Sequence, residues 1–236
     1  MIYKTQGIIL KKNKLGENDE IITCYSEKFG KIRFVAKGSK NIKSKFVGSL
    51  EKLNFCELII SSGKNLDILN EAKIISVFPK IKSDIKKINQ ALYLSEILDK
   101  FAHDKEKNQN IFNLFLRTLK YLEKNKISLA PILNFEISLI NNFGYKPVLD
   151  KCTNCGSPLG KDIYFSFQLG GALCQDCLKF DAHSTKIDKN LVKIWNKNKI
   201  GENQKEADLK KMLKIINFFV TFITEQKIKS EKFLYE

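Results

Sequence analysis

The fold is decided by residues 6–36, which read QGIILKKNKLGENDEIITCYSEKFGKIRFVA. Apolar runs in this stretch are separated by clusters of Gly, Asn, Asp and Lys, which are typical of turns. The pattern therefore predicts three consecutive short strands, at Gln6–Lys12, Glu20–Tyr25 and Lys31–Ala36.

The third predicted strand has a clear period of two. Ile32 and Phe34 are expected to face a core, whereas Lys31 and Arg33 are expected to face outward. The two cations are therefore candidates for contact with a ligand on the outer surface.

Two further strands are predicted downstream, at Asn54–Ser61 and Leu66–Val77. Between them, residues 62–65 read SGKN, which is the chemistry of a hairpin turn. Five strands in about eighty residues suit a small closed barrel, and the oligonucleotide-binding (OB) type is the common cytosolic solution at that size.

The pattern changes after Pro79, where the apolar period lengthens to that of a helix. The predicted helices are Ser83–Phe101, Gln109–Leu122, Pro131–Gly144, Asn190–Lys197 and Glu206–Gln226. The fold class is therefore α+β, with a five-stranded OB-type β-barrel followed by an α-helical domain. We expect the barrel domain to span residues 1–79 and the helical domain residues 80–236, with a cysteine-bearing insert at about 150–180.

Two Cys-x-x-Cys pairs are separated by an insert of eighteen residues. Four thiolates at this spacing can close a tetrahedron around one Zn²⁺, which predicts a zinc knuckle. A closed shell of four sulfurs leaves no position for a reacting water, so the metal is expected to be structural. The predicted ligands are Cys152, Cys155, Cys174 and Cys177.

Other interpretations of these cysteines are weaker. A redox dithiol needs only one Cys-x-x-Cys pair. Disulfides are expected in secreted proteins, and residues 1–12 show no secretory signal. A zinc-type fold that has lost its metal stays open. Cys24 and Cys56 lie in apolar, strand-like surroundings and are predicted to be buried as small hydrophobic side chains.

The composition is that of a folded protein with a formal net charge of +15. Lacking a signal peptide and any apolar run long enough to cross a bilayer, the chain is expected to be cytoplasmic, associated with the nucleoid, and without a membrane partner. The charge favours a polyanionic partner. However, lysine is frequent throughout and the two arginines are Arg33 and Arg117, a bias that an AT-rich coding background also produces.

The distribution of charge is more informative, since no carboxylate occurs between Glu27 and Glu51. Cations, hydroxyls and a glycine in this segment are typical of a surface that follows phosphates without reading bases. The alternative is a solvated, lysine-rich loop that has no binding role and discourages strand pairing at a barrel edge. Phe46 is the candidate for stacking on bases. The predicted DNA contacts are Lys31, Arg33, Lys37, Lys40, Lys43 and Lys45.

Catalytic patterns are poorly represented. Residues 156–162 resemble a phosphate-binding loop only superficially, because Asp162 stands where a Ser or Thr would bind Mg²⁺. Neither of the two histidines lies beside a candidate nucleophile. We therefore expect a protein that is not an enzyme.

Several motifs occur in the order and spacing of the bacterial RecO family of DNA repair proteins. In the barrel they are Gly7–Leu10, Gly16–Asp19, Phe29–Lys31, Ala36–Lys40, Ser44–Phe46 and Gly48–Leu50. Later, Asn142–Tyr145 and Gly170–Cys174, taken with the cysteine pairs, resemble the zinc-bearing version of the family's carboxy-terminal domain. The resemblance covers roughly residues 1–180. Lysines stand where relatives often carry arginines in the basic loop, which replaces bidentate phosphate contacts by point charges.

The resemblance implies an accessory factor of recombinational repair. Members of the family bind single- and double-stranded DNA and anneal complementary strands without ATP. They act with RecR, and often RecF, to load RecA on DNA coated by single-strand binding protein. The resemblance also implies that the helical domain receives the acidic C-terminal tail of single-strand binding protein. A candidate surface lies on the second predicted helix, at Leu116, Arg117 and Lys120. A core-facing Leu116 beside ordinary solvated charges is the alternative there.

Two other function classes stay open. A zinc-ribbon RNA-binding or transcription factor is expected to prefer RNA, or one duplex sequence, over random single strands. A nuclease or nucleotidyl transferase needs a Mg²⁺-binding carboxylate cluster, and the sequence does not show one.

Overall fold

The computed structural model describes residues 1–197, 200–201 and 204–234. Its amino-terminal strands are β1 (Ile2–Leu15), β2 (Asp19–Ser26), β3 (Gly30–Ala36), β4 (Phe55–Ser61) and β5 (Asp67–Ser76). They close a barrel in the order β1-β2-β3-β5-β4, in which β3 and β5 are parallel and the other neighbours antiparallel. The predicted five-stranded barrel is confirmed.

β1 is longer than the sequence pattern predicts, because it pairs with two partners. Its first half, from Ile2 to Ile8, pairs with β4, and its second half continues along β2 to Leu15. A bulge between Ile9 and Lys11 separates the two registers with β2. A bulge increases the local twist of a strand, which helps one long strand to serve two neighbours of a small barrel.

Three helices follow the barrel: α1 (Pro79–Lys82), α2 (Ile85–Phe101) and α3 (Gln109–Lys124). Asp84 caps α2 by accepting the N–H groups of Lys86 and Lys87, and Asn108 caps α3 by accepting that of Ile111. Such side-chain caps satisfy backbone donors that have no partner within the helix. One compact unit consists of Met1–Ile127, which contains the barrel and these three helices, and of the segment that begins at Ile228.

Residues Ser128–Lys227 form a second compact unit. It contains α4 (Ala130–Asn142), β6 (Ile163–Ser166), β7 (Gly171–Leu173), β8 (Thr185–Ile187), α5 (Lys189–Lys197) and α6 (Glu206–Thr224). The strands form a small sheet in the order β7-β6-β8, which the sequence pattern does not predict. Aromatic packing forms part of the core, where the ring of Phe219 lies 5.2 Å from that of Phe165 and 6.2 Å from that of Trp195.

The compact units divide between residues 127 and 128, within the helical part of the chain. The change from strands to helices falls at Pro79, where α1 begins. The domain division after residue 79 stays a prediction. In the described part of the chain, no helix has both the length and the apolarity needed to cross a membrane.

Candidate nucleic-acid surface and metal centre

We call residues 37–48, the first part of the connection from β3 to β4, the lysine loop. Its backbone folds into successive turns rather than an open arc. The N–H of Asn41 donates to the carbonyl of Gly38 at 3.2 Å, and the N–H of Ser44 donates to the carbonyl of Asn41 at 2.9 Å. A third bond of this kind joins Val47 to Ser44 at 3.2 Å. The turns therefore fix the directions in which the loop presents its side chains.

Two carboxylates at the start of β2 hold the first end of the lysine loop. Asp19 accepts the N–H of Gly38 at 2.7 Å, and Glu20 accepts the hydroxyl of Ser39 at 2.8 Å. Sequence reasoning missed this role, although Asp19, Gly38 and Ser39 belong to two of the motifs that carry the family resemblance, and Glu20 directly follows one of them. The occurrence of both motifs, Gly16–Asp19 and Ala36–Lys40, in the family pattern is the signal that could have indicated contact between the two segments.

Lys40 joins the lysine loop to the turn between β1 and β2. Its N–H donates to the carbonyl of Asn18 at 3.1 Å, and its ammonium donates to the carbonyls of Gly16 at 3.0 Å and Glu17 at 2.9 Å. A lysine that satisfies two carbonyls in this way contributes to the shape of the loop. Its contact with DNA stays a prediction.

Lys37, Lys43 and Lys45 are the exposed lysines of the loop. Within the described residues, none of the three forms a salt bridge with a carboxylate. The ammonium of Lys45 lies 5.2 Å from the ring centroid of Phe46, a cation–π distance that leaves its positive charge uncompensated. These three side chains offer positive charge to a phosphate backbone.

Phe46 is not available to stack on bases, so the prediction for this residue is wrong. Its side chain is 4% exposed and belongs to the same buried cluster as Phe34 and Leu58. The hydroxyl of Ser49 donates to its carbonyl at 2.9 Å. Two adjacent apolar residues in a polar loop, Phe46 and Val47, have no period to reveal their directions, and here Phe46 holds the second end of the loop in the barrel core.

Lys31 and Arg33 lie beside carboxylates from the last turn of α2 and the segment that follows it. The ammonium of Lys31 donates to the carbonyl of Asp99 at 2.6 Å and lies 3.6 Å from the carboxylate of Asp99 and 3.7 Å from that of Asp104. Arg33 pairs with Asp104 at 3.1 Å. Lys31 lies on the outer side of the strand as expected, but its side chain is only 9% exposed, and its contact with DNA stays a prediction. Arg33 is half exposed, and its contact with DNA stays a prediction.

Residues 102–108 cover the outer face of β3 and explain the burial of Lys31. The N–H of Lys105 donates to the carbonyl of Lys31 at 2.7 Å. At Gly30, which has a φ of +63°, an added Cβ would lie 1.8 Å from the carbonyl oxygen of Glu106. Glycine is therefore required at position 30 on two counts, the left-handed backbone and the close approach of the covering segment.

The four predicted metal ligands converge in the second compact unit. The sulfur atoms of Cys152, Cys155, Cys174 and Cys177 all lie within 4.8 Å of one another. The Cys155 and Cys174 sulfurs are 3.8 Å apart. A tetrahedron of sulfurs with metal–sulfur bonds of about 2.3 Å has edges of about 3.8 Å, so the cluster has the size of a four-thiolate metal site.

Backbone hydrogen bonds bring the two halves of the knuckle together. The N–H of Cys152 donates to the carbonyl of Ser157 at 2.8 Å, and the N–H of Thr153 donates to that of Ala172 on β7 at 2.8 Å. At Gly171 an added Cβ would lie 2.5 Å from the carbonyl oxygen of Val148, so a side chain there would push the halves apart. The small sheet thus positions the cysteine pairs.

The surroundings of the sulfurs favour at least one thiolate. Burial opposes ionisation of Cys152, but the backbone N–H groups of Cys155, Cys174 and Asn154 outweigh it and lower the pKa of Cys152 to about 6. The side-chain amide of Asn154 donates to the sulfur of Cys177 at 3.4 Å. Donors directed at sulfur spread its negative charge, as around bound metal thiolates. The donor set therefore fits a thiophilic metal ion.

The candidate surface for an acidic peptide on α3 is partly as predicted. Arg117 and Lys120 are exposed, whereas Leu116 is half buried. The Nε of Arg117 donates to the carbonyl of Asn113, one turn earlier, at 3.2 Å. The two cations and part of one leucine therefore share an accessible face, and its role stays a prediction.

Comparison with known proteins places the chain in a family. The model of the amino-terminal domain of recombination protein O matches residues 1–78, and the model of its carboxy-terminal domain matches residues 82–232. The chain is 32% identical to a DNA repair protein RecO of Alkaliphilus metalliredigens over 83% of this chain and 80% of the relative. It is 30% identical to that of Desulforamulus reducens over 99% and 94%. It is 35% identical to that of Clostridium acetobutylicum over 75% and 72%. The two family models together cover nearly the whole sequence, and the chain belongs to the recombination protein O family.

Proposed function

We propose that this protein is a mediator of recombinational DNA repair. It binds single- and double-stranded DNA and anneals complementary strands without ATP. Together with RecR, and with RecF as in many members of the family, it helps to load RecA on DNA coated by single-strand binding protein. Family membership supports the repair role. The observation that carries the DNA-binding part is the lysine loop, whose exposed Lys37, Lys43 and Lys45 project from a closed barrel without a salt-bridge partner in the described chain.

The proposed interaction of this surface with DNA is electrostatic. Two DNA strands repel each other through their phosphates, and a cationic loop lowers that repulsion while base pairing supplies the driving force. No covalent bond needs to form or break in annealing, so we propose that the protein is not an enzyme. Lysine contacts phosphate as a point charge, so binding is expected to be independent of sequence.

The test is a charge reversal in the lysine loop. The triple variant Lys37→Glu, Lys43→Glu, Lys45→Glu is expected to bind every DNA sequence more weakly. Each lost phosphate contact should reduce the slope of log affinity against log salt by about 0.7 for single strands and about 0.9 for duplex. Glu replaces only exposed residues, so the fold is expected to persist.

A matched control reverses three exposed lysines elsewhere, Lys124, Lys126 and Lys189. It changes the net charge equally but leaves the loop intact. Equal salt slopes for the two triple variants would contradict the proposed surface. A preference of the parent protein for RNA over single-stranded DNA would favour the alternative, a zinc-ribbon RNA-binding factor.

We propose in addition that the cysteine cluster binds one structural Zn²⁺. The support is the sulfur spacing, the four-thiolate donor set and the hydrogen bond to Cys177 from Asn154. The four cysteines would hold the ion and the small sheet would hold the cysteines. Metal analysis of the purified protein should give about one zinc per chain. Oxidised cysteine pairs instead of metal would contradict the assignment.

A further inference from the structure

Ile42 occupies an unusual position in the lysine loop. Its side chain is 96% exposed. The neighbouring aromatic residue of the loop, Phe46, has its ring in the core, and Val47 is 63% exposed, so Ile42 is the most exposed large apolar side chain of the lysine loop. In the sequence it stands alone between Asn41 and Lys43, and an isolated apolar residue in a polar loop is the signal that could have singled it out.

The loop presents this side chain on a defined turn. Hydrogen bonds from Asn41 to Gly38 and from Ser44 to Asn41 close the backbone on both sides of Ile42. The ammonium of Lys40, two residues before Ile42, donates to the carbonyls of Gly16 and Glu17 in the β1–β2 turn. Because the backbone is held, an apolar group at this position can be pushed against a ligand without first ordering the chain.

Exposed lysines precede and follow the isoleucine in the loop. Lys43 follows it directly, and Lys37 and Lys45 are exposed in the same loop. Ammonium groups that contact phosphates hold a loop at the outside of a DNA strand, and an apolar side chain between them is then directed toward the bases. Proteins that kink duplex DNA use aliphatic side chains in this way, as wedges between neighbouring base pairs.

We propose that Ile42 is a wedge that inserts between stacked base pairs of duplex DNA while the lysines of the loop contact the flanking phosphates. This inference rests on the proposed DNA-binding function and adds a direct contact with the bases. The contact requires no hydrogen bond to a base edge, so Ile42 does not read the identity of single bases. It does favour steps that unstack easily, namely TA and CA.

A protein or a lipid surface is a poorer occupant for this residue. A stable protein interface buries about 800 Å² on each partner, which one isoleucine among lysines cannot supply. Interfacial binding to a membrane requires an extended apolar face of the kind that an amphipathic helix offers. A single aliphatic group flanked by cations matches a base step flanked by phosphates.

The experiment uses the full chain and duplex DNA that carries 2-aminopurine beside a central TA step, since the emission of this base rises when it is unstacked. The parent protein is expected to raise the emission. Ile42→Ser should abolish most of that rise and lower duplex affinity by roughly tenfold to a hundredfold, the scale of burying one isoleucine side chain. The salt slope should not change, because the lysines are retained.

Matched variants separate a wedge from a general effect. Ile85→Ser removes another isoleucine that is 71% exposed, at the first residue of α2, and is expected to behave like the parent. Ile42→Met should restore most of the emission change, because methionine is also an effective wedge. Ile42 is almost fully exposed, so loss of folding is not expected for either substitution.

The outcomes distinguish the inference from the proposed function. A parent protein that binds duplex without any change in emission, or an Ile42→Ser variant that unstacks the step as well as the parent, would overturn the wedge while DNA binding stands. Absence of DNA binding by the parent would overturn both. Vesicles of anionic phospholipid serve as a further arm, and a selective loss of vesicle binding in Ile42→Ser would assign the residue to lipid instead.

Discussion

At the scale of single residues, lysine serves two physical roles in the barrel. The ammonium of Lys31 is enclosed by Asp99 and Asp104, whereas that of Lys37 is exposed to solvent. An enclosed cation stabilises the fold only while its hydrogen bonds are intact, since its desolvation must be compensated. An exposed cation contributes little to stability and retains its charge for a ligand.

The variants Lys31→Met and Lys37→Met should therefore have opposite effects. Lys31→Met is expected to lower the free energy of unfolding by roughly 1–2 kcal/mol, because it removes the bond to the Asp99 carbonyl and the cation beside the Asp99 carboxylate, whereas Asp104 keeps its pair with Arg33. It should leave the salt slope of DNA binding unchanged. Lys37→Met should alter stability by less than about 0.5 kcal/mol and reduce the slope. Urea unfolding measures the stabilities, and salt titrations of DNA binding measure the slopes. A smaller salt slope for Lys31→Met than for the parent would show that Lys31 does contact DNA.

The burial of Lys31 shows where prediction from sequence ends. Alternation correctly placed Lys31 on the outer side of the barrel wall, opposite Ile32 and Phe34. The cover that buries it comes from Asp99 and the segment after it, 68 positions along the chain. A period of two reports which side of a strand a residue faces, but it holds no information about what packs on that side.

At the scale of elements, long periodic segments were predictable and short ones were not. The ends of α3 and α4 fall within a few residues of the predicted bounds, because several turns of helix repeat the apolar pattern. β6, β7 and β8 have only three or four residues each, too few to show a period. The cysteine ligands were predictable from spacing alone, whereas the sheet that positions them required the folded structure.

The C-terminal 3₁₀ turn, Lys229–Leu234, is held to α2 by Glu96. This carboxylate accepts the N–H groups of Lys229 and Ser230, each at 2.8 Å, and the hydroxyl of Ser230. Burial by itself raises the pKa of Glu96, but these donors, with a smaller effect of Lys100, outweigh it and lower the pKa. The folded pKa is thus below the unfolded value of about 4.3, so this stabilisation is present above that pH and is lost as the pH falls through the folded pKa.

The variant Glu96→Gln should accordingly be less stable than the parent at pH 7 by about 1–2 kcal/mol, the scale of hydrogen bonds to a charged group. The difference should shrink as the pH falls below the unfolded pKa of about 4.3 and through the lower folded pKa, below which the parent carboxylate is also neutral. Unfolding by urea at several pH values measures it, with Glu71→Gln, an exposed carboxylate of β5, as the control. A stability difference that is constant between pH 7 and pH 3 would show that charge is not the cause.

The exposed face of α3 provides a test of the proposed contact with the tail of single-strand binding protein. Arg117→Glu should weaken binding of the acidic tail peptide by roughly tenfold, because a repulsive charge replaces an attractive one. Lys124→Glu makes the same charge change at the end of the same helix and should have a smaller effect. Fluorescence anisotropy of a labelled peptide gives both affinities. Equal affinity for Arg117→Glu and the parent would remove this surface from consideration.

At the scale of the whole molecule, the two functional features belong to different compact units. The lysine loop lies in the unit that starts with Met1–Ile127, and the cysteine cluster lies in Ser128–Lys227. Within the second unit, β7 leads directly to Cys174 and pairs with β6, where Phe165 is opposite Ala172. The cysteine cluster is thus connected to an aromatic core through the β6–β7 ladder of backbone hydrogen bonds.

Removal of the metal should therefore disturb the second unit and spare the DNA surface. Trp195, the single tryptophan of the chain, is buried against Phe219, which in turn contacts Phe165 on β6. A chelator should release four thiolates that repel one another, loosen the sheet and shift the Trp195 emission to longer wavelength, and added Zn²⁺ should reverse the shift. The salt slope of DNA binding should stay the same within about 0.5, since the contacts described above that hold the lysine loop are with the barrel. Unchanged Trp195 emission after loss of metal would show that the sheet holds without it, and a reduced slope would show that the metal site supports the DNA surface as well.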